Sequence, residues 1–202
     1  MTSALLGFNC SQFSATSAPM IGDAGSSGLT EPVMPVALLS SEQMLKTMIS
    51  STGIENLGDL SSAEDDLISR TYEERSGSLP SGQSLTMATG PTFISVTNVA
   101  SAVCAKAVDR DRTTANAEER LFFREVDFSK GLSGQSELVA FAFERIARNA
   151  WRRDVEANEI QAITEFAREF SSGANQTDPA QTRLLAISTC TAVLSSLDAL
   201  TY

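Results

Sequence analysis

The chain has 202 residues, enough to bury a substantial core in one domain with a tail; its hydrophobic fraction of 42% is that of a folded protein, and it carries a formal charge of −10. It contains no histidine, which excludes a Ser-His-Asp triad, a Cys-His pair, an imidazole zinc ligand and a haem held by a histidine of this chain. The negative field repels phosphate backbones, so nucleic acid is not an expected partner, and no basic amphipathic stretch offers a hold on anionic lipid.

The first residues hold a short apolar core, Ala4-Leu5-Leu6-Gly7-Phe8, then Cys10 and a Ser/Ala/Thr-rich stretch. The order is that of the end of a bacterial lipoprotein signal, which makes Cys10 a candidate lipidation site, although Asn9 stands where a small residue is expected and no basic residue precedes the apolar core. A plain disordered arm and a free terminal thiol are the competing readings. Residues 11–35 are rich in Ser, Gly, Ala, Thr and Pro and read as that arm or a linker, so the chain is divided into an arm at 1–37 and a helical domain at 38–202.

Ser40 and Gln43 form a capping-box pattern before Leu45, Met48 and Ile49, with Gly53 as the stop, which predicts a helix over 41–52. Ser61 and Glu64 repeat the pattern ahead of Leu67, Ile68 and Tyr72 and predict a second over 62–75. Gly77, Pro80, Gly82 and Gly90 mark a long loop over 76–90. Pro91 then opens a buried helix over 92–108 with Val96, Val99, Ala100, Val103 and Ala107 on its face. The charges of Asp109-Arg110-Asp111-Arg112 read as a solvated turn.

Asn116 and Glu119 cap a short segment around Leu121, Phe122 and Phe123, ended by Gly131 and Gly134. From Ser136, Val139, Phe143, Ile146, Ala147 and Ala150 make one apolar face, with Glu144 and Arg148 paired four apart on the other side. Ile160, Ile163, Ala167 and Phe170 give the next helix, closed by Gly173. Asp178 and Pro179 open a last one, whose Leu184, Leu185, Ile187, Val193, Leu194 and Leu197 exceed a single stripe and predict the central core helix. With no alternating β-pattern and no internal repeat, the expected fold is all-α, an irregular bundle of six or seven helices.

The segment Ile146-Ala147-Arg148-Asn149-Ala150-Trp151-Arg152-Arg153, then Glu159-Ile160, then Ala192 to Tyr202, resembles a helical domain of unknown function that in planctomycetes, myxobacteria and relatives occurs in large secreted proteins beside c-type cytochrome modules. Leu38 to Met48 with Thr52-Gly53-Ile54 is similar to the short helical domain that opens those proteins. The chain departs from the family at Asp154 and Asp198, where prolines are usual, and has no CxxCH haem-attachment motif. The resemblance implies a stand-alone helical part without the redox centre and brings no established reaction.

Four constellations carry candidate chemistry. Trp151-Arg152-Arg153 reads either as a recognition patch for carboxylate or phosphate, or as a helical corner fixed by pairing with helix ends, Glu156 and Glu159. Glu64, Asp65, Asp66, Glu73 and Glu74 read as a cation site or as a solvated helix face. Glu165 and Glu169 read as an acid/base pair or, again, as a solvated face. Cys104 and Cys190, on two predicted buried helices, read as a disulfide of an exported protein or as two inert thiols. The expectation is a non-enzymatic, exported protein of a bacterial envelope that acts through protein contact, near a cytochrome-type partner, with no cofactor and no membrane attachment beyond a lipid on Cys10. The alternatives are a structural subunit of a filament or virion that uses the arm, and a histidine-free enzyme using carboxylates.

Overall fold

The computed structural model describes residues 37–54, 65–81 and 89–201. Cys10, the 1–37 arm apart from its last residue, and Glu64 of the acidic cluster lie outside them. The chain divides after Met34, and the unit Pro35–Tyr202 holds every described element.

Among the described residues seven α-helices follow in order: α1 Ser41–Ser51, α2 Asp65–Arg75, α3 Gly90–Thr113, α4 Ser136–Trp151, α5 Ala157–Gly173, α6 Pro179–Leu194 and α7 Leu197–Leu200, with short 3₁₀ turns at Ser76–Ser78 and Ala117–Glu119. The fold is an all-α bundle, and no strand occurs among the described residues; only two isolated antiparallel bridges do, Leu38 with Thr201 and Ser40 with Ser81. The first brings the start of the domain to its end, where the Leu39 amide donates to Leu200 O over 2.8 Å.

The local signals explain most helix ends. The Gln43 amide donates to Ser40 Oγ and the Ser40 amide to Gln43 Oε1 over 3.1 Å, a completed capping box at the start of α1. At its end Gly53 takes φ +62°, and the Ile54 amide donates to Ile49 O, satisfying a carbonyl the helix leaves open. Asp178 accepts from the Ala180 amide over 2.9 Å with Pro179 in the first turn of α6. Glu144 and Arg148 stand 3.7 Å apart on α4.

α6 packs between α3 and α4, α5 lies chiefly on α4, α2 lies on α3, and α1 touches both α3 and α4. α6 buries Leu185, Ala186, Ile187, Cys190, Val193 and Leu194 around its circumference, as a central helix must. Two of its expected core residues are not buried: Leu184 is 46% exposed, and Leu197, 45% exposed, lies beyond the helix. The helix ends at Leu194 because Ser195 caps it and Ser196 precedes α7, redirecting the chain.

α3 corrects the sequence reading more deeply. It continues through Asp109-Arg110-Asp111-Arg112 to Thr113, so the expected solvated turn is its last helical turn. α3 is also long and apolar enough by composition to cross a membrane, although no run of 18 apolar residues exists; more than half of its apolar stretch is buried inside the bundle.

Candidate functional site

The helical corner after α4 is built from the C-terminus of that helix outward. Trp151 closes α4, edge-to-face on Phe143 at 5.5 Å, with its indole N–H donating to Val193 O over 3.2 Å. Arg152 then adopts the left-handed conformation, φ 55°, which a non-glycine residue holds at a cost of roughly 1 kcal/mol or more, and this reverses the chain so that Arg153 faces the start of α5.

The Arg153 guanidinium lies 4.8 Å from the Trp151 ring. It donates to both Glu159 oxygens, over 3.0 and 2.6 Å, and to Asp198 Oδ2 over 2.6 Å. Glu159 in turn accepts from the Glu156 amide over 2.7 Å, at the N-cap of α5. The hydrogen bond from Arg153 holds the Glu159 carboxyl below its ordinary pKa, and the Glu159 and Asp198 hydrogen bonds push Arg153 further up. Three helices, α4, α5 and α7, thus meet at one guanidinium, which leaves it committed to the corner.

Arg148 lies 3.5 Å from Asp154 and 3.7 Å from Glu144. Arg152 is exposed and makes no ion pair among the described residues. Arg148, Arg152, Arg153 and Asp154 line an open surface depression. Asp154 and Asp198 thus share Arg148 and Arg153 with Glu144 and Glu159. Glu156 caps α5 and makes no ion pair with an arginine of the corner among the described residues.

The second ionic cluster sits where α3 was expected to have ended. Arg183 of α6 donates to both Asp109 oxygens, over 2.8 and 2.5 Å, while Arg112 reaches the same carboxylate over 3.1 Å. The Arg183 hydrogen bond holds the Asp109 carboxyl below the usual range. Asp111 points the other way, fully buried, and accepts from the amides of Leu121, Phe122 and Phe123 over 3.1, 2.8 and 3.1 Å. Those three donors belong to a segment without helix, and the carboxylate gives them the partners that a helix would have supplied. Asp111 therefore seats Phe122 and Phe123 in the core.

Cys104 of α3 and Cys190 of α6 are joined in a disulfide with their Cα atoms 5.7 Å apart, and neither side chain has any exposed surface. The bond therefore crosslinks the two central helices. Glu73 and Glu74 are exposed on α2, and Glu165 and Glu169 are exposed on α5, where Glu165 lies 3.2 Å from Arg168. Among the described residues no group of three or more histidine, cysteine, aspartate or glutamate side chains converges to hold a metal.

Neither a family model, nor a curated protein, nor a solved structure matches this chain. Phe141 lies opposite the buried face of α4 and is 59% exposed; with Ile160 of α5 it lines a depression of about 260 Å³ whose other walls are Glu137, Ala140, Glu144 and Thr164. An adjoining depression of about 230 Å³ shares Glu137, Ala140 and Thr164 and runs on to Arg168 and Ser171. An aromatic residue standing off the apolar stripe, between two glutamates, is the sequence signal that points to this groove.

Proposed function

We propose that this chain is a non-enzymatic helical protein of a bacterial cell envelope that works by contact with another protein. The observation that carries the reading is the Cys104–Cys190 disulfide, because a buried crosslink between core helices persists in an oxidising compartment and is rare in a reducing one. The absence of histidine and the commitment of Arg153, Asp109 and Arg183 to structural ion pairs support a role other than catalysis. The resemblance to helical domains found beside c-type cytochrome modules makes a cytochrome-bearing envelope protein the first partner to test.

The test is the thiol state and mass of the protein from its native host. Cys104 and Cys190 unreactive to alkylation until the unfolded chain is reduced, together with acyl chains on Cys10, are the expected result. Three free thiols would place the protein in a reducing compartment and overturn the reading. Turnover of a substrate at a rate that depends on one carboxylate would overturn its non-enzymatic part.

A further inference from the structure

We infer that the groove between α4 and α5 is a docking site for a basic amphipathic helix of a partner protein, an inference that rests on the protein-contact reading and names its surface. The groove runs from Ser136 and Ser171 at one end to Phe141, Glu144 and Ile160 at the other, about 12 Å along α4 at 1.5 Å per residue, which is the length of two helical turns. Its floor is low: Ala140 and Ala167 are buried side chains that end at Cβ, and Thr164 lies between the two depressions. Phe141 and Ile160 rise from it as exposed apolar walls. Side chains spaced three and four apart on a partner helix fit such a furrow.

The charges decide which helix fits. Glu137 and Glu144 lie on the same face of α4 as Phe141, four and three residues from it; Glu137 makes no ion pair among the described residues, and Glu144 pairs at 3.7 Å with Arg148, which it shares with Asp154. The cations beside the groove are already matched. Arg145, whose guanidinium stands 5.7 Å from the Phe141 ring, pairs with Glu125 and donates to Phe122 O, and Arg168 pairs with Glu165. The unbalanced charge in the groove is therefore negative, and an occupant with lysines or arginines flanking its apolar stripe complements it. A second copy of this chain would bring the same two glutamates and another −10 to the interface, which opposes self-pairing.

The experiment uses the full chain, isotope-labelled, titrated with an amphipathic Leu/Lys peptide of about 14 residues and with a scrambled peptide of the same composition. Saturable amide shifts confined to 136–144 and 160–171 are expected for the patterned peptide alone. Phe141→Ala is expected to weaken binding about tenfold, as loss of a central apolar anchor does, and Glu137→Gln with Glu144→Gln to weaken it and flatten its salt dependence. Leu184→Ala, at an exposed leucine outside the groove, serves as the control and leaves binding unchanged. Equal binding of the scrambled peptide, shifts spread over other faces, or indifference to Phe141→Ala overturns the assignment. Self-association in sedimentation that Phe141→Ala abolishes would instead assign the groove to a second copy. Photo-crosslinkers placed at Phe141 and at Leu184 in the native host separate this proposal from the one on which it rests: a protein captured only from Leu184 sinks the groove and leaves the protein-contact reading standing, whereas capture of none from either position removes both.

Discussion

α6 and α5 have nearly the same length and are neighbours in the chain, yet they do different work. α6 is buried around most of its circumference, covalently joined to α3 and tied to it again by Arg183 and Asp109. α5 buries only Ile163 and Ala167, lies on α4, and is fixed at its start by Arg153. The difference separates a centre that is crosslinked and ion-paired to its neighbour from an outer layer most of whose side chains face solvent. Substitutions at the centre are accordingly expected to move global stability, and those in the outer layer to move local opening or binding.

The largest effect is expected at the disulfide. By the chain-entropy model, a crosslink spanning 86 residues stabilises by about 3 to 5 kcal/mol. Replacing Cys104 and Cys190 together by alanine is therefore expected to lower the urea midpoint by that equivalent, with the helical circular dichroism of the folded state retained. A midpoint within 1 kcal/mol of the parent, as an order-of-magnitude bound, would show that packing alone fixes α3 on α6. Next comes Asp111→Ala, which leaves three buried or half-buried amides without their acceptor; an unfolding loss of about 3 kcal/mol or more follows. Asp111→Asn keeps one acceptor oxygen and is expected to fall between the parent and the alanine variant.

These two sites also show how far the sequence could be read. Helix starts and stops written into adjacent residues, such as Ser40 with Gln43, Gly53, and Asp178 with Pro179, are legible because the partner groups lie within four residues. The extension of α3 was not, since Asp109-Arg110-Asp111-Arg112 has the composition of a solvated turn and its reason for being helical lies elsewhere: Asp109 answers Arg183, and Asp111 answers amides ten to twelve residues on. The same rule divides the helical corner. Pairing of Arg153 with Glu159 is a six-residue matter and is visible in the spacing, whereas Asp198 arrives from 45 residues away. Leu184 and Leu197 have the hydrophobicity of core residues, but exposure depends on which side of the helix has a neighbour, which one sequence does not state.

A third prediction tests the junction between centre and outer layer. Gly131 lies against the turn that joins α5 to α6, where an added Cβ would meet the Gln176 carbonyl and stand 2.7 Å from Thr177 Cα. Neither neighbour is a movable side-chain tip, so Gly131→Ala must displace backbone, at a cost of about 1 to 3 kcal/mol. If the two layers are distinct, hydrogen exchange is expected to quicken at the α5–α6 turn and the end of α5 before it does around Cys190. Arg153→Ala then probes the other end of α5: amide exchange over its first turn is expected to rise while the global unfolding midpoint changes little, and equal quickening in α6 would erase the distinction drawn here.

The smallest effect is the response to acid, and its sign follows from the two ionic clusters. Asp109 and Glu159 both have folded-state pKa values below those of the unfolded chain, Asp109 through the Arg183 hydrogen bond and Glu159 through the Arg153 one. An acidic group whose pKa is lowered by folding contributes stability that is present above its unfolded value, near 4 for these carboxylates, and that disappears as pH falls through the lower folded value. Stability is thus expected to be level above about pH 5 and to decline below about pH 4. Arg183→Gln removes the larger part of the Asp109 share and leaves that of Arg112; for a partly exposed pair the loss amounts to about 0.5 kcal/mol, and the decline becomes shallower because Asp109 then titrates more nearly alike in both states. Raised salt is expected to do the same in part, since these pairs are open to solvent. A decline of unchanged steepness in Arg183→Gln would mean that the pair between α3 and α6 adds nothing, and that the centre is held by its disulfide and its packing alone.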